Sequence, residues 1–341
     1  MPGAMSEAAA NSQSRTLFLT DADVTALSDW PSAIDALRRA YASDVDPQSV
    51  PPRSMARAPG MWLRSLTAIS PLEGYLGCKL IAACLPIRTA SYLVSLFDKD
   101  SAQLHALIDG NQITGIRTAA TSAVAVDALA PQRPLRLGIL GSGFEARAQL
   151  TALATVRAIQ RAKVYSPTAA NRAKFAAHFE KTSRMAVQAV DTPEAALEEV
   201  DVVICAARGK NEEPVLRGRW LVPGTMVVSI GSTLPEQREV DVEVIRRAKL
   251  IVADMPDEVA RDTGDLIAAT RESVTFAEKL ISLHELCRVN SAVGRSADDI
   301  VLYKSVGSAL QDVVVAEMLF LRARERGLGS FLPVSIAPVR K

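Results

Sequence analysis

A glycine-rich turn separates an apolar strand pattern, Leu135–Leu140, from a helical pattern that runs to Val156. The turn reads GSGFEA over residues 141–146, which fits G-x-G-x-x-A. In this context the first glycine allows the tight turn, the second lets the backbone approach a pyrophosphate, and the alanine lets helix and strand pack closely. The N–H groups that open the helix face the anion. The predicted dinucleotide-binding residues of this turn are Gly141, Ser142, Gly143, Phe144 and Glu145.

The end of the next predicted strand bears on which dinucleotide binds. An acidic residue about 20 residues after the glycines would bind the ribose hydroxyls of NAD, but Ser166 stands there. Without that carboxylate a 2′-phosphate meets no repulsion, and Ser166, Thr168 and Arg172 offer hydroxyls and a cation to bind it. The sequence therefore favours NADP over NAD. The alternative is that Ser166 and Thr168 cap the following helix.

Three cations in the first half of the chain are candidates for binding a carboxylate. Arg53 follows two prolines, Lys79 stands in an otherwise apolar strand pattern, and Arg117 lies near the start of a helix of small residues. A guanidinium binds a carboxylate in bidentate fashion, and an ammonium adds a compact charge and a possible proton donor. For each cation alone, a surface charge or a salt bridge is the alternative.

The surrounding elements predict an α/β protein with two domains. After the glycine turn, short apolar runs alternate with helical segments, which is typical of a Rossmann domain, a doubly wound parallel sheet. Before it, a helical segment and hairpin-like strands predict a smaller α+β substrate domain. Those strands are Met61–Ile69, Leu76–Ala83 and Tyr92–Asp98. The predicted boundaries are 131–304 for the Rossmann domain and 15–130 with 305–341 for the other.

The sequence also predicts the structure of two further segments. Val301–Leu319 has a helical pattern that returns to the first domain, and the acidic segment Asp254–Asp265 reads as a lid or a solvated loop around a glycine hinge.

Composition excludes several classes of protein. The 341 residues suffice for two domains, and a net charge of +1 leaves no broad basic surface for nucleic acid or acidic membranes. No apolar run approaches the roughly 18 residues that span a bilayer. Met1–Ser14 reads as a disordered leader rather than a signal peptide. Four cysteines without paired spacing indicate reduced thiols in a cytoplasmic protein, and three scattered histidines predict no metal site.

Several motifs, taken in order, resemble the ornithine cyclodeaminase/mu-crystallin family from about Leu17 to the last helix. They are Pro52-Arg53, Gly77-Cys78-Lys79, Asp109-Gly110-Asn111, Arg117-Thr118-Ala119-Ala120, Gly141-Ser142-Gly143, Pro223-Gly224-Thr225, Gly231-Ser232-Thr233 and Gly307-Ser308-Ala309 with Asp312. The resemblance implies a homodimer whose first domain and last helix supply the dimer interface and the substrate pocket. It implies that Arg53, Lys79 and Arg117 hold the α-carboxylate of an amino or imino acid. Further candidates for cofactor contacts are Thr118, Ala206 and Ser232.

One departure from the family pattern changes the expected chemistry. The cyclodeaminases and related alanine dehydrogenases usually carry an aspartate where this chain has Thr233, and that aspartate handles the substrate amine and the nucleophile. Threonine is no general base near neutral pH, and losing a catalytic carboxylate costs orders of magnitude in rate. Glu236, Glu239 and Asp241 are candidate substitutes, although Glu239 is expected to pair with Arg238.

The resulting hypothesis is an NAD(P)-dependent oxidoreductase that reduces a cyclic or secondary imino acid or reversibly oxidises an amino acid. Arg53, Lys79 and Arg117 hold the carboxylate, Lys79 either donates a proton or only binds, and Thr233 suffices because a protonated iminium needs no separate strong base. The alternatives are an ornithine cyclodeaminase-type deaminating cyclisation with bound NAD and a non-catalytic NADPH-binding protein. The expected partners are a small imino or amino acid and a second copy of the chain.

Overall fold

The computed structural model describes residues 15–72, 74–289, 296–333 and 336–340, so the leader predicted over Met1–Ser14 lies outside the described residues. The chain divides into two compact units, Met1–Arg117 with Ser308–Lys341 and Thr118–Gly307. The sequence places the domain boundaries at residues 131 and 305 instead, and these boundaries stay a prediction.

The first unit is built on a seven-stranded sheet. Its strands are β1 (Leu17–Leu19), β2 (Ser54–Ala58), β3 (Met61–Ile69), β4 (Tyr75–Cys84), β5 (Thr89–Asp98), β6 (Leu104–Asp109) and β15 (Ser330–Phe331), in the order β15-β1-β6-β5-β4-β3-β2. Strands β2 to β6 pair antiparallel, which confirms the three predicted hairpin strands. The helices are α1 (Asp21–Leu27), α2 (Trp30–Ala42), the first turns of α3 (Asn111–Leu129), and α11 (Ala309–Arg326), with a 3-10 turn at Pro47–Ser49.

Helix α11 packs on the inner face of this sheet. Strand β4 buries alternate residues, among them Gly77 and Lys79, and α11 is buried along most of its length. A Cβ on Gly77 would collide with the Ser95 carbonyl and would lie 3.3 Å from Val313, so the glycine lets the helix come close. The N-terminal part of α11 therefore lies against β4 near Gly77.

The second unit is an eight-stranded sheet in which all neighbouring strands are parallel. Its strands are β7 (Leu135–Leu140), β8 (Ile159–Tyr165), β9 (Val187–Ala189), β10 (Val202–Cys205), β11 (Met226–Ser229), β12 (Leu250–Ala253), β13 (Leu280–Ser282) and β14 (Val301–Lys304). The order β13-β12-β14-β11-β10-β7-β8-β9 reverses between β7 and β10. This is the predicted doubly wound Rossmann sheet, and its central strands are buried throughout, as continuous apolar runs require.

Helices connect these strands. They are the rest of α3, then α4 (Phe144–Val156), α5 (Ala169–Ser183), α6 (Pro193–Leu197), α7 (Val242–Arg247), α8 (Pro256–Asp262), α9 (Gly264–Arg271) and α10 (Leu283–Val289), with 3-10 turns at Lys210–Glu212, Gly218–Trp220 and Ala277–Lys279. Across the described ranges, every helix is too short or too polar to cross a membrane.

Two predictions about elements are wrong. Val301–Lys304 is not helical but forms β14 between β11 and β12, because a short apolar run buried on both faces fits a parallel strand as well as a helix. The segment Asp254–Asp265 is not a solvated loop, and its role as a lid stays a prediction. It forms α8 and the start of α9, and Asp254 and Asp265 are buried.

Candidate active site

Lys79, Arg117 and Asp312 form a buried charged cluster in the first unit. Lys79 Nζ donates to Asp312 Oδ1 at 2.9 Å and to Thr114 Oγ1 at 2.6 Å, and Arg117 Nε lies 3.2 Å from the same Asp312 oxygen. The side chains of Lys79 and Asp312 are 1% and 0% exposed. Two cations face one carboxylate, so the cluster has a net charge of +1 when all three groups are ionised. Ammonium and guanidinium groups of this kind also bind the carboxylates of small molecules.

Gln311 extends this cluster to helix α2. Its Oε1 accepts a hydrogen bond from Arg117 Nη1 at 2.8 Å, and its Nε2 donates to the Tyr41 hydroxyl at 2.8 Å. Two consecutive residues of α11, Gln311 and Asp312, therefore fix the plane of the Arg117 guanidinium. Asp312 Oδ2 is buried and makes no hydrogen bond to any residue in the described part of the chain, so acceptor capacity remains at the cluster.

Sequence reasoning found only part of this cluster. The structure brings the predicted Lys79 and Arg117 together on Asp312. Arg53 is half-buried immediately before β2, and its membership in the cluster stays a prediction. Asp312 was noted only as part of a family motif, and Gln311 was missed. Two adjacent polar residues in the otherwise apolar stretch 309–316 of the helix were the available signal.

The glycine turn has the geometry that a pyrophosphate needs. Gly141 has φ +121°, and a Cβ there would lie 2.6 Å from the Ala206 carbonyl oxygen. Gly143 is the N-cap of α4, and a Cβ there would meet nothing within 4 Å. Open space therefore lies in front of the helix N-terminus, so these residues fit a dinucleotide phosphate.

A cavity of about 790 Å³ lies beside this turn, at the carboxyl ends of β7, β8 and β10. Its walls include Gly141, Tyr165, Ser166, Ala207 and Trp220. Doubly wound sheets bind nucleotides in this position, where the strand order reverses. The cavity therefore has the place and size for the nucleoside part of a dinucleotide.

The residues at the end of β8 surround a hydroxyl pair. Ser142 Oγ donates to Ser166 Oγ at 2.9 Å, and Arg172 donates to the Ser166 carbonyl at 3.0 Å while pairing with Asp191. Thr168 is the N-cap residue of α5, but its side chain makes no capping hydrogen bond. Ser166, rather than an acidic residue, thus stands at the end of β8, and the Arg172 guanidinium beside it is paired with Asp191.

Gln237 forms hydrogen bonds with the turn that contains Thr233. Ser232 Oγ donates to the Gln237 carbonyl at 2.6 Å, and the Thr233 backbone N–H donates to Gln237 Oε1 at 3.0 Å. Of the other predicted cofactor residues, Ala206 follows β10 and donates its N–H to Leu140, and Thr118 is buried in α3.

The expected pairing of Glu239 with Arg238 is wrong. The Glu239 carboxylate points inward and accepts hydrogen bonds from Ser229 Oγ at 2.6 Å and from the backbone N–H groups of Gly231 at 2.8 Å and Ala207 at 3.1 Å. Asp241 accepts from the Val244 N–H as the N-cap of α7 and also from the Gly218 N–H. The carboxylates of Glu239 and Asp241 therefore already accept hydrogen bonds within the second unit. Glu236 is exposed. In the described residues, no group of three or more His, Cys, Asp or Glu side chains has the arrangement of a metal site.

Comparison with known proteins decides the family. The sequence model of the "Ornithine cyclodeaminase/mu-crystallin family" matches residues 81–327. This chain belongs to that family. The matched range contains Arg117, the glycine turn and Asp312, and it begins just after Lys79.

Individual relatives are named as reductases and dehydrogenases. Ketimine reductase mu-crystallin of Mus musculus is 30% identical over 266 residues, which cover 76% of this chain and 80% of that protein. Thermococcus litoralis Δ1-pyrroline-2-carboxylate reductase, solved in complex with NADH and L-proline, superposes with a TM-score of 0.85 at 28% identity, covering 92% of this chain and 99% of that one. An archaeal alanine dehydrogenase dimer with bound NAD superposes at 0.84 with 26% identity, covering 93% and 99%.

Proposed function

We propose that this chain is an NAD(P)H-dependent reductase of a cyclic or secondary imino acid, which in reverse oxidises the corresponding amino acid. The observation that carries the proposal is the buried Lys79–Asp312–Arg117 cluster. Its net positive charge suits the carboxylate that every such substrate carries. The relatives named as ketimine and pyrroline-2-carboxylate reductases support the same substrate class.

Within this proposal the cations bind rather than transfer protons. Arg117 offers a planar guanidinium whose direction Gln311 and Asp312 fix, and Asp312 and Thr114 fix the ammonium of Lys79. We therefore assign Lys79 and Arg117, with Arg53 as a third cation, to holding and orienting the carboxylate. Orientation is the main protein contribution that this chemistry requires.

The second unit holds the cofactor. A bound nicotinamide cofactor supplies or accepts the hydride. We assign its pyrophosphate to residues 141–145 and Thr118, its nucleoside to the cavity beside Ser166, and further contacts to Ala206 and Ser232. Because Ser166, Thr168 and Arg172 stand at the end of β8, we propose that NADP is preferred over NAD.

Thr233 fits reduction better than cyclodeamination. A protonated iminium already carries the proton that its nitrogen needs, so no strong base is required beside it. A deaminating cyclisation needs such a base, and the neighbouring carboxylates Glu239 and Asp241 are bound to backbone N–H groups. We also propose that the protein is a cytoplasmic homodimer.

An absorbance assay tests the proposed function. Purified protein is given Δ1-pyrroline-2-carboxylate or Δ1-piperideine-2-carboxylate with NADH or NADPH, and the reduced-cofactor band is followed. The proposal predicts a falling signal, faster with NADPH. Ammonia release from ornithine with catalytic NAD, without imino-acid reduction, would instead identify a cyclodeaminase. NADPH binding without turnover on either substrate class would identify a non-catalytic binder.

A further inference from the structure

Glu239 lies where three hydrogen-bond donors converge in the interior of the second unit. Its side chain is fully buried. One carboxylate oxygen accepts from the Ala207 N–H at 3.1 Å, and the other accepts from the Gly231 N–H at 2.8 Å and from Ser229 Oγ at 2.6 Å. An ionised carboxylate is acceptor-only, so this arrangement matches the ionised form.

The two backbone N–H groups belong to two different loops. Ala207 follows β10 and lines the cavity, and its neighbour Ala206 presents the carbonyl that packs against Gly141. Gly231 follows β11 and opens the turn that contains Thr233. A Cβ on Gly231 would collide with the Glu239 carboxylate and would lie 3.0 Å from the Ala207 carbonyl oxygen. One carboxylate thus joins the loops that follow β10 and β11.

The charged groups around Glu239 are also buried. Lys304 Nζ, at the end of β14, donates to Ser229 Oγ at 2.9 Å and pairs with Asp265 Oδ2 at 2.9 Å. Asp265 Oδ1, at the start of α9, accepts from the Glu239 N–H at 2.8 Å. The Cys205 thiol of β10 is near enough to Glu239 to feel its charge, but burial raises the pKa of this thiol well above its ordinary value, so it stays neutral.

With Glu239 ionised, the group of Glu239, Asp265 and Lys304 carries a net charge of −1, and with Glu239 protonated it is neutral. Burial raises the pKa of Glu239 to about 7, and the charge of Asp265 adds to this. The opposing charge of Lys304 and the hydrogen bonds from Ser229 and Gly231 offset only part of the rise.

We propose that Glu239 is a positioning residue of the cofactor site, whose ionised carboxylate holds the loops after β10 and β11 in the arrangement that binds the dinucleotide. The inference rests on the proposed function, because it requires that the second unit binds a nicotinamide cofactor. Protonation removes the negative charge of the carboxylate, which weakens the hydrogen bonds that it accepts from the two backbone N–H groups. Cofactor affinity therefore falls as the pH falls through about 7.

The test is the NADH dissociation constant of the full-length protein, measured by fluorescence between about pH 6 and about pH 8, on either side of the Glu239 pKa. NADH is the probe because the 2′-phosphate of NADPH ionises near pH 6 and would add its own titration. The wild type is expected to bind about tenfold more tightly at the upper end. Glu239→Gln places an amide N–H against backbone donors, so it binds about tenfold more weakly at high pH and loses the pH dependence. Glu180→Gln, on the exposed face of α5, keeps the wild-type profile.

A second variant separates positioning from folding. Ser229→Ala removes one donor that lowers the pKa of Glu239 but leaves both backbone N–H groups in place. The midpoint of the binding profile is expected to move to higher pH, with affinity restored at the alkaline end. If Glu239→Gln does not fold, this shift decides the question, and an unmoved midpoint overturns the inference.

The measurements distinguish a wrong role for Glu239 from a wrong proposed function. A flat wild-type profile, or Glu239→Gln binding NADH as tightly as the wild type at each pH, overturns the role of Glu239 and leaves the enzyme assignment standing. A lower melting temperature with unchanged NADH affinity shows a merely structural role and also overturns it. A wild type that binds neither NADH nor NADPH overturns the proposed function itself.

Discussion

Lys79 is one of the cations that we assign to the substrate carboxylate. Lys79→Met keeps the length of the side chain and removes its charge, while Arg117 remains beside Asp312. We expect kcat/KM for the imino acid to fall about 100-fold, because a charged hydrogen bond to the substrate is lost. Cofactor affinity should change less than about twofold, since the glycine turn belongs to the other unit. Steady-state kinetics and a fluorescence titration measure the two quantities.

The matched control for this variant is Lys181→Met, which removes an exposed lysine from α5. It should leave both quantities unchanged. Full activity in Lys79→Met would contradict the carboxylate-binding role.

The two glycines of the turn should respond differently to alanine. Gly143→Ala adds a methyl group in open space, so the fold should keep its melting temperature while NADPH binding weakens about tenfold, because the methyl group stands where the pyrophosphate approaches. Gly141→Ala has both a positive φ and a contact of 2.6 Å with Ala206, so it should lose about 2 kcal/mol of stability or more. Thermal melting and a binding titration separate the effects. Unchanged NADPH affinity in Gly143→Ala would rule out the assigned phosphate position.

At the scale of elements, Asp201 joins β7 to β10. It accepts hydrogen bonds from the side chains of Arg133 and Arg136 and from the Arg136 N–H. Burial raises the pKa of Asp201, but these hydrogen bonds outweigh burial and lower the pKa to about 2. Because the pKa is lowered in the folded state, the stabilisation is present above the ordinary value of 3.8 and is lost as the pH falls toward 2.

Asp201→Asn should therefore lower the free energy of unfolding by about 1–2 kcal/mol at neutral pH, and by less near pH 3. Urea unfolding at both pH values measures the difference. Glu198→Gln, which removes an exposed carboxylate paired with Lys163, is the control and should cost less than about 0.5 kcal/mol. An equal loss for Asp201→Asn at both pH values would show that the carboxylate charge is not the cause.

Elements whose signal lies in neighbouring residues were predicted correctly from the sequence, and elements that depend on distant parts of the chain were not. The glycine turn and the β3–β5 hairpins follow from neighbouring residues, and the structure has them as predicted. Val301–Lys304 was not predicted as a strand, because its three apolar residues fit either a strand or a helix until β11 and β12 are present on both sides. The Lys79–Asp312 pair joins residues 233 positions apart, a separation that no spacing rule spans.

Glu239 shows a second reason why the site was only partly predictable. Adjacency in sequence favoured a pair with Arg238, but the carboxylate turns toward Ser229 and two backbone N–H groups. Those donors come together only when the ends of β10 and β11 lie side by side. Side chains whose partners are backbone groups leave no pattern of residue types in the sequence.

At the scale of the whole molecule, the outer face of the first unit's sheet supports the proposed homodimer. Met61, Leu63 and Ile69 lie at alternating positions on β3 and are 55%, 48% and 45% exposed. Apolar side chains concentrated on one sheet face are typical of a surface covered by a partner. Leu63→Glu should therefore shift the protein from dimer to monomer in light scattering, whereas Lys181→Glu should not. A Leu63→Glu dimer of wild-type stability would place the interface elsewhere.

The stoichiometry of cofactor use tests the central claim most directly. Purified protein is incubated with Δ1-pyrroline-2-carboxylate and NADPH until the reaction stops, and NADPH oxidised and imino acid consumed are both counted. The proposed reductase predicts one NADPH oxidised for each imino acid reduced, with the rate lost in Lys79→Met. NADPH that stays reduced, together with ammonia released from ornithine without net change in NAD, would contradict it.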